Sequence, residues 1–134
     1  MKKTDYRTLQ HIEAYCSDIA NTVRRFGADF ETFAADYDYR NSIAMSLLEI
    51  GELTKNLSHE FRNATIDELF WPDLKDLRNE VAHQYRRMEI EEVFITATKA
   101  VPTIQTFCTK YIGIYQEQEK KKARHASDQN PDKH

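Results

Sequence analysis

Residues 5–26, DYRTLQHIEAYCSDIANTVRRF, carry apolar side chains at intervals of three and four positions. This stripe consists of Leu9, Ile12, Cys16, Ile19 and Val23. Because an α-helix turns by about 100° per residue, this spacing places the stripe on one face. Gly27 follows directly and can end a helix. The pattern therefore predicts an amphipathic helix from about Asp5 to Phe26.

The same spacing recurs along most of the chain. Further helices are predicted from Asp29 (a short one), over 38–57, from Pro72 to His83 or Tyr85, and from Glu89 onward. Pro102 should kink or split the last of these, because proline cannot continue a regular helical hydrogen-bond ladder. No run alternates with the period of two that strands require. Four to five helices joined by short links predict an all-α, up-and-down helical bundle.

Two local patterns refine the predicted helices. Residues 65–68, Thr-Ile-Asp-Glu, have the spacing of a capping box ahead of the third long helix. Gly51 interrupts the second long helix, where glycine costs about 1 kcal/mol relative to alanine. We therefore expect another backbone to approach Gly51 closely, at either a helix–helix or a subunit interface.

Length and charge limit the class of protein. The chain has 134 residues and a net charge of −3, from 19 basic and 22 acidic side chains. This size favours one domain, and the charge excludes a generally basic nucleic-acid binder, so any RNA site must be locally basic. We assign residues 1–118 to the bundle. Residues 119–134, which include the basic run at 120–124, are polar and predicted to be a disordered tail.

The sequence also indicates the compartment. The first residues lack the apolar stretch of a signal peptide, and no segment approaches the roughly 20 apolar residues of a membrane span. We therefore expect a cytoplasmic protein without a membrane partner. Cys16 and Cys108 lie on apolar stripes and are interpreted as reduced core thiols.

The chemistry-bearing residues are concentrated in residues 78–85, RNEVAHQY. Arginine offers a planar, permanently charged fork for phosphate oxygens, and histidine both accepts and donates protons near neutral pH. On a helix, Asn79 and His83 share one face, while Arg78 and Tyr85 share the neighbouring face. Arg78 and His83 are about 140° apart, which suits the two walls of a groove.

A plainer interpretation of the same helix stays open. Arg78 could pair with a nearby carboxylate, and His83 could simply lie at a helix end. The candidate carboxylates are Asp73, Asp76 and Glu80. The other histidines, at 11, 59, 125 and 134, share no metal-ligand spacing, so neither a metal nor another cofactor is expected.

Residues 70–85, FWPDLKDLRNEVAHQY, resemble the signature of HepT-like proteins in the HEPN superfamily. The shared pattern is a tryptophan, an Arg-Asn pair, four residues between arginine and histidine, and a tyrosine two positions after the histidine. Residues 48–58, LEIGELTKNLS, resemble the Gly-Glu helix of the same family, and Pro102 falls where the last helix often carries a proline. The resemblance covers roughly residues 5–115.

The resemblance implies a homodimeric helical ribonuclease toxin, encoded beside an MNT-type nucleotidyltransferase antitoxin. It implies that Arg78 and His83 are the catalytic pair, with Asn79 holding substrate or orienting the histidine. Tyr85 occupies the position that the antitoxin modifies by AMPylation. Gln84 departs from the acidic residue common there.

Arg86 and Arg87 make the end of the motif more basic than the family pattern, and we expect both to contact RNA. Metal-free RNA cleavage needs a base for the ribose 2′-OH, an acid for the leaving 5′ oxygen, and a cation near phosphorus. The motif holds one histidine, so a two-fold dimer would supply the second. The expected product is a 2′,3′-cyclic phosphate.

Two other functions remain possible from the sequence. In a non-catalytic HEPN-like module, Arg78 and His83 would grip RNA or a nucleotide without cleaving it. In a purely structural bundle, Gly51 and its helix would serve assembly. A nuclease shortens RNA in EDTA, a binder retains it, and a structural protein does neither.

Overall fold

Residues 1–69 and 71–128 are described by the computed structural model. Within them, the chain forms eight α-helices and one π-helical turn. They are α1 (Lys3–Phe26), α2 (Phe30–Ala35), α3 (Tyr37–Thr54), α4 (His59–Ala64), α5 (Trp71–Lys75), α6 (Leu77–Arg86), α7 (Ile90–Ile95), the π-helix (Thr96–Ala100) and α8 (Val101–Asp128). The predicted all-α bundle is confirmed, with more breaks than the sequence pattern indicates.

The core is formed where three long helices and α6 meet. α1 packs against α3 and α8, and α3 packs against α6 on its other side. The first stripe is fully buried there except for Val23, which is partly buried, and Ile43, Leu47 and Ile50 of α3 are fully buried as well. Burying a large aliphatic side chain contributes about 1.5–3 kcal/mol, so this core is the main source of stability. α3 therefore holds α6 in place.

Polar caps define several helix ends. α1 ends at Gly27, as predicted, at a φ of 115°. The carboxylates of Asp29 and Asp36 accept from backbone N–H groups at the starts of α2 and α3. Ser58 does the same for α4, and its N–H and hydroxyl both donate to the buried carboxylate of Asp5 at 2.7 Å. The start of α1 is thereby tied to the start of α4.

The prediction of a capping box at residues 65–68 is wrong. Thr65 closes α4 instead, because its hydroxyl donates to the carbonyl of Phe61 at 2.8 Å. The same hydroxyl accepts from the indole N–H of Trp71 at 2.9 Å. Thr65 is therefore a buried link between α4 and α5, and residues 65–68 form turns.

The third long helix of the prediction is divided into α5 and α6. Asp76 is the turn residue between them, at φ −87° and ψ −6°, and its side chain makes no cap hydrogen bond. The predicted core face is confirmed, since Leu74, Leu77 and Val81 are buried. α6 thus begins at Leu77, directly before Arg78.

Pro102 was expected to kink or split the last helix, and the structure shows instead a π-helical stretch directly before it, within a continuous helical backbone. The π-helix at Thr96–Ala100 separates α7 from α8, and Pro102 is the second residue of α8. Proline lacks the N–H that a regular helical ladder uses and its ring crowds the preceding turn, and a wider π turn relieves that crowding. The π turn therefore lies upstream of the proline and lets α8 continue without a break.

The structure differs from the predicted tail over residues 119–128, which are helical as the end of α8. An already packed helix extends without a new nucleation cost, and ion pairs one turn apart add small support. Two such pairs occur, Glu117 with Lys120 at 3.5 Å and Glu119 with Lys122 at 3.3 Å. Residues 129–134 lie outside the described residues.

Both cysteines are free and buried in the core, as their stripes predict. Burial raises the pKa of the Cys16 thiol to about 12. Burial likewise raises the pKa of Cys108, with a smaller contribution from Cys16. Thiols held in the protonated form are poor nucleophiles, so the two residues act as small apolar side chains.

Candidate functional site

A groove of about 930 Å³ lies between α3 and α6. One wall comes from α3, with Asn41, Ala44, Met45 and Leu48. The other comes from α6 and the residue before it, with Asp76, Arg78, Asn79, Glu80, Val81, Ala82, His83, Tyr85 and Arg86. Five of the six candidate site residues therefore line one groove. Arg87, the sixth, is the exposed C-cap of α6 and is not among the lining residues.

Arg78 is fixed to α3 through its backbone. A Cβ built on Gly51 would lie 2.6 Å from the Arg78 nitrogen and 3.1 Å from its Cα. No real Cβ contact is that short, so only glycine lets the two helices approach this closely at this point. Of the two alternatives for Gly51, the structure shows a helix–helix contact within the chain.

The side chain of Arg78 also reaches α3. Its Nε lies 3.3 Å from Oε2 of Glu52, and both side chains are about half exposed, at 49% and 54%. The carboxylates expected to pair with Arg78 were those of Asp73, now on α5, Asp76, in the turn before α6, and Glu80, and none of them forms this ion pair. An exposed ion pair contributes at most about 1 kcal/mol to folding, so its value to stability is small.

His83 lies in the last turn of α6, one wall of the groove. Its side chain is exposed, whereas its backbone carbonyl accepts from Arg87 N at 3.0 Å. Val81, two residues earlier, is buried at 1% exposure and anchors this part of the helix. The imidazole is therefore carried on a fixed backbone and is open to a ligand in the groove.

Tyr85 is half-buried and lines the groove, two helical turns from Arg78. Gln84 does not line it, and the Gln84 amide nitrogen lies 3.5 Å from Oε1 of Glu80 on the previous turn. The Gln84 amide oxygen is buried and has no hydrogen-bond partner. The departure from the family pattern at Gln84 thus leaves the groove surface unaltered.

α6 ends in a left-handed turn at Met88. Its φ is 60°, a conformation that glycine adopts far more easily than methionine. The turn is held by two backbone bonds, from Met88 N to Tyr85 O at 3.2 Å and from Glu89 N to Gln84 O at 2.8 Å. This pair of bonds is a Schellman motif. It ends the helix directly after Arg86 and Arg87.

The charge of the groove is mixed. Arg78 and Arg86 supply positive charge, and Asp76 and Glu80 supply negative charge. The groove of one chain is therefore less basic than was predicted for an RNA site in a protein of net negative charge. Arg87 adds a further cation just outside it.

The α3 wall of the groove was not predicted from the sequence. Asn41, Met45 and Leu48 lie off the buried stripe of α3, and Met45 is 55% exposed. The sequence did contain an indication of this wall, because apolar residues beside a core stripe widen the apolar face of a helix. Glu52 lies in the Gly-Glu motif, but no spacing rule along the chain connects it to Arg78.

Over the part of the chain that the structure describes, no group of three or more His, Cys, Asp or Glu side chains is arranged to hold a metal ion. No described helix has both the length and the apolar character needed to cross a membrane.

Comparison with known proteins supplies the family. The profile of the family described as "Ribonuclease HepT-like" matches residues 12–111, which include both walls of the groove. A curated protein of Caldanaerobacter subterraneus subsp. tengcongensis, named "Putative RNase TTE0752", is 29% identical over 103 residues. That match covers 77% of this chain and 89% of the relative. No solved structure matches the chain significantly.

Proposed function

Because the chain belongs to the HepT-like ribonuclease family, we propose that it is a metal-independent endoribonuclease and the toxin of a toxin–antitoxin pair. The observation that carries this proposal is that Arg78, Asn79 and His83 line a single groove. Arg78 and His83 are its catalytic residues, and the groove between α3 and α6 is where RNA binds. The enzyme acts on RNA in the cytoplasm.

The chemistry is transfer of a phosphoryl group within the RNA chain. A ribose 2′ oxygen loses its proton and attacks the adjacent phosphorus, and the bond to the 5′ oxygen breaks as that oxygen gains a proton. The imidazole of His83 suits either proton transfer, and the guanidinium of Arg78 suits the charge that builds on the phosphoryl oxygens. The products are a 2′,3′-cyclic phosphate and a free 5′ hydroxyl.

The reaction needs both an acid and a base, and each chain brings one histidine to the groove. We infer that a two-fold homodimer joins two copies of α6 and supplies the second imidazole. Two features of the groove support this. Met45 is a large apolar side chain left 55% exposed on the α3 wall, and the mixed charge of one groove would gain further arginines from a partner.

Asn79, Arg86 and Arg87 are the proposed substrate contacts. Asn79 lines the groove between the catalytic residues, where its amide can bond a phosphate oxygen or the imidazole. Arg86 and Arg87, at the end of α6, can each neutralise a phosphate of the RNA backbone. Binding through these two arginines should therefore weaken as salt concentration rises.

Tyr85 is the proposed site of silencing by an MNT-type nucleotidyltransferase antitoxin. Its half-buried ring lines the groove, so a transferred nucleotide would place a bulky anion where RNA must lie. Coexpression with the nucleotidyltransferase should add the mass of one AMP group, located at Tyr85 by peptide mass spectrometry. If the mass is unchanged, Tyr85 only packs the groove or stacks on a base.

The test of the nuclease is RNA cleavage in EDTA. Wild-type protein should shorten 5′-labelled RNA and leave 2′,3′-cyclic ends, and His83→Ala should slow cleavage by about 10²- to 10⁴-fold. His59→Ala is the matched control, because His59 is exposed on α4 and does not line the groove. RNA that is retained but uncut by wild type would indicate the non-catalytic binder instead.

A further inference from the structure

Glu52 and Gly51 are consecutive residues of α3 that contact the same residue of α6. Gly51 fits against the backbone of Arg78, and the Glu52 carboxylate lies 3.3 Å from the Arg78 Nε. The backbone and the side chain of Arg78 are thus held by neighbouring positions on one rigid helix. Two independent contacts converge on this arginine.

The atom that Glu52 engages matters chemically. A guanidinium carries donors on Nε and on its two terminal nitrogens, and the terminal pair can bind two phosphate oxygens at once. A carboxylate at Nε leaves that terminal pair available to a ligand while it restricts rotation of the side chain. An acidic residue near an RNA site would otherwise only repel phosphate.

We propose that Glu52 is a positioning residue that holds the guanidinium of Arg78 toward the groove. Its effect on cleavage rests on the proposed ribonuclease function, but its effect on Arg78 does not. Positioning of a reacting group is sensitive, since a displacement of about 1 Å can cost a hundredfold in rate. Glu52 should therefore affect the rate of cleavage strongly, although its ion pair contributes little to the stability of the fold.

Lys55 provides a matched control, because it contacts the same carboxylate as Arg78. Its Nζ lies 3.6 Å from the same carboxylate oxygen of Glu52, one helical turn away. Lys55→Gln removes a charge beside Glu52 and leaves Arg78 and its partner in place. Glu52→Gln keeps the size and shape of the side chain and removes the charge that holds Arg78.

The first experiment observes Arg78 directly and needs no RNA. In ¹⁵N-labelled protein, the Nε–H signal of Arg78 is identified by its loss in Arg78→Lys. Exchange of this hydrogen with water should be at least about fivefold faster in Glu52→Gln than in wild type, because the charge-assisted contact is lost. Lys55→Gln should remain within about twofold. Equal exchange in wild type and Glu52→Gln overturns the proposal.

The second experiment measures the consequence for the enzyme. Glu52→Gln should lower kcat by about tenfold without raising KM, because orientation is lost while a charge that repels RNA is removed. In an Arg78→Lys background, which lacks Nε, the same substitution should change kcat by less than about twofold. An equal loss in both backgrounds would show that Glu52 does not act through Arg78.

The two experiments fail separately. If wild type does not cleave RNA, the proposed function fails, yet the exchange of the Arg78 signal still decides whether Glu52 positions it. If cleavage is present but KM rises and the melting temperature falls in Glu52→Gln, its role is structural and the positioning proposal is wrong.

Discussion

Gly51 is the residue on which the position of Arg78, the proposed catalytic arginine, depends most directly. Its missing side chain is what allows the Arg78 nitrogen to lie 2.6 Å from the place of a Cβ. The opposing atoms belong to backbone, which cannot rotate away as a flexible side chain can. Any larger residue at position 51 must move α6 relative to α3 and change the groove.

Gly51→Ala should lower the free energy of unfolding by about 1–3 kcal/mol, the usual cost of forcing an extra carbon into a packed contact. Gly113→Ala is the control, because a Cβ there meets nothing within 4 Å. Its greater helix propensity should instead raise the free energy of unfolding by about 0.5–1 kcal/mol. Urea unfolding of both variants measures the difference, and equal stabilities would contradict the tight contact.

Met88 is a second residue at which backbone conformation and side chain disagree. A methionine held at a φ of 60° is strained, and this one is 67% exposed, so its side chain gains little from burial. Glycine would relieve the strain but would also be more flexible in the unfolded chain. The balance favours glycine because left-handed backbone costs an ordinary residue roughly 1–2 kcal/mol.

Met88→Gly should therefore raise the free energy of unfolding by about 0.5–1 kcal/mol. Met45→Gly provides the comparison, because Met45 is also exposed but lies inside α3. There the same change should lower the free energy by about 1 kcal/mol, the helix penalty of glycine. A loss of stability in both variants would show that residue 88 is not left-handed in solution.

At the scale of elements, α6 is held from two directions. α3 packs along it, and α5 contacts its start, while the turns before α5 are hydrogen-bonded to α8. In those turns the Glu68 carboxylate accepts hydrogen bonds from Lys110 and from the Tyr111 hydroxyl. These hydrogen bonds hold the pKa of Glu68 below its usual range, and the bond from Lys110 has the larger effect. The anchoring of these turns is therefore sensitive to pH.

The sign of that dependence follows from the lowered pKa of Glu68. The hydrogen bonds of Glu68 stabilise the fold at pH values above the pKa that Glu68 has in the unfolded chain. This contribution is lost as the pH falls through the pKa that Glu68 has in the folded protein. The hydrogen bonds to Glu68 raise the pKa of Lys110 and of Tyr111, so their contributions are lost only in strong alkali. Between these limits the contribution should be constant.

Wild type should exceed Glu68→Gln in unfolding free energy at pH 7, and this difference should shrink between about pH 5 and pH 3. Urea unfolding at a series of pH values measures it. Asp67→Asn, an exposed charge in the same turns, is the control and should leave the pH profile closer to that of wild type. A difference that stays constant into acid would mean that Glu68 is not held by this hydrogen-bonded pair.

The helices could be predicted from the sequence because their apolar stripes report burial directly. The breaks were harder to predict. Asp76 divides α5 from α6 without a proline or glycine, and Met88 ends α6 where no glycine signals a left-handed turn. Thr65 and Glu68 have capping-box spacing, yet their side chains are used by Trp71 and α8. Tertiary contacts decided each of these points.

At the scale of the whole molecule, the α6 wall could be predicted because its residues share one helix. The α3 wall could not, because which helices face each other depends on packing across the entire bundle. The ion pair of Arg78 with Glu52 joins residues 26 positions apart, beyond any local pattern. The residues that a second copy of the chain would add to the groove are equally hard to predict, because the spacing of residues along one chain carries no information about contacts between two chains.

A shared groove can be tested by combining one intact chain with one inactive chain. The proposed reaction uses two imidazoles, one from each chain, so a dimer of wild type with His83→Ala lacks either the acid or the base. In a shared groove it should therefore cleave RNA at least about tenfold more slowly than the wild-type homodimer. Two affinity tags on coexpressed chains allow the mixed dimer to be isolated.

If each chain instead works alone, the mixed dimer keeps one complete site and should retain about half of the wild-type rate. A dimer of wild type with His59→Ala is the control, because His59 does not line the groove, and its rate should match that of wild type. A rate near half of wild type in the dimer with His83→Ala would contradict a shared groove, because one imidazole would then be enough for cleavage.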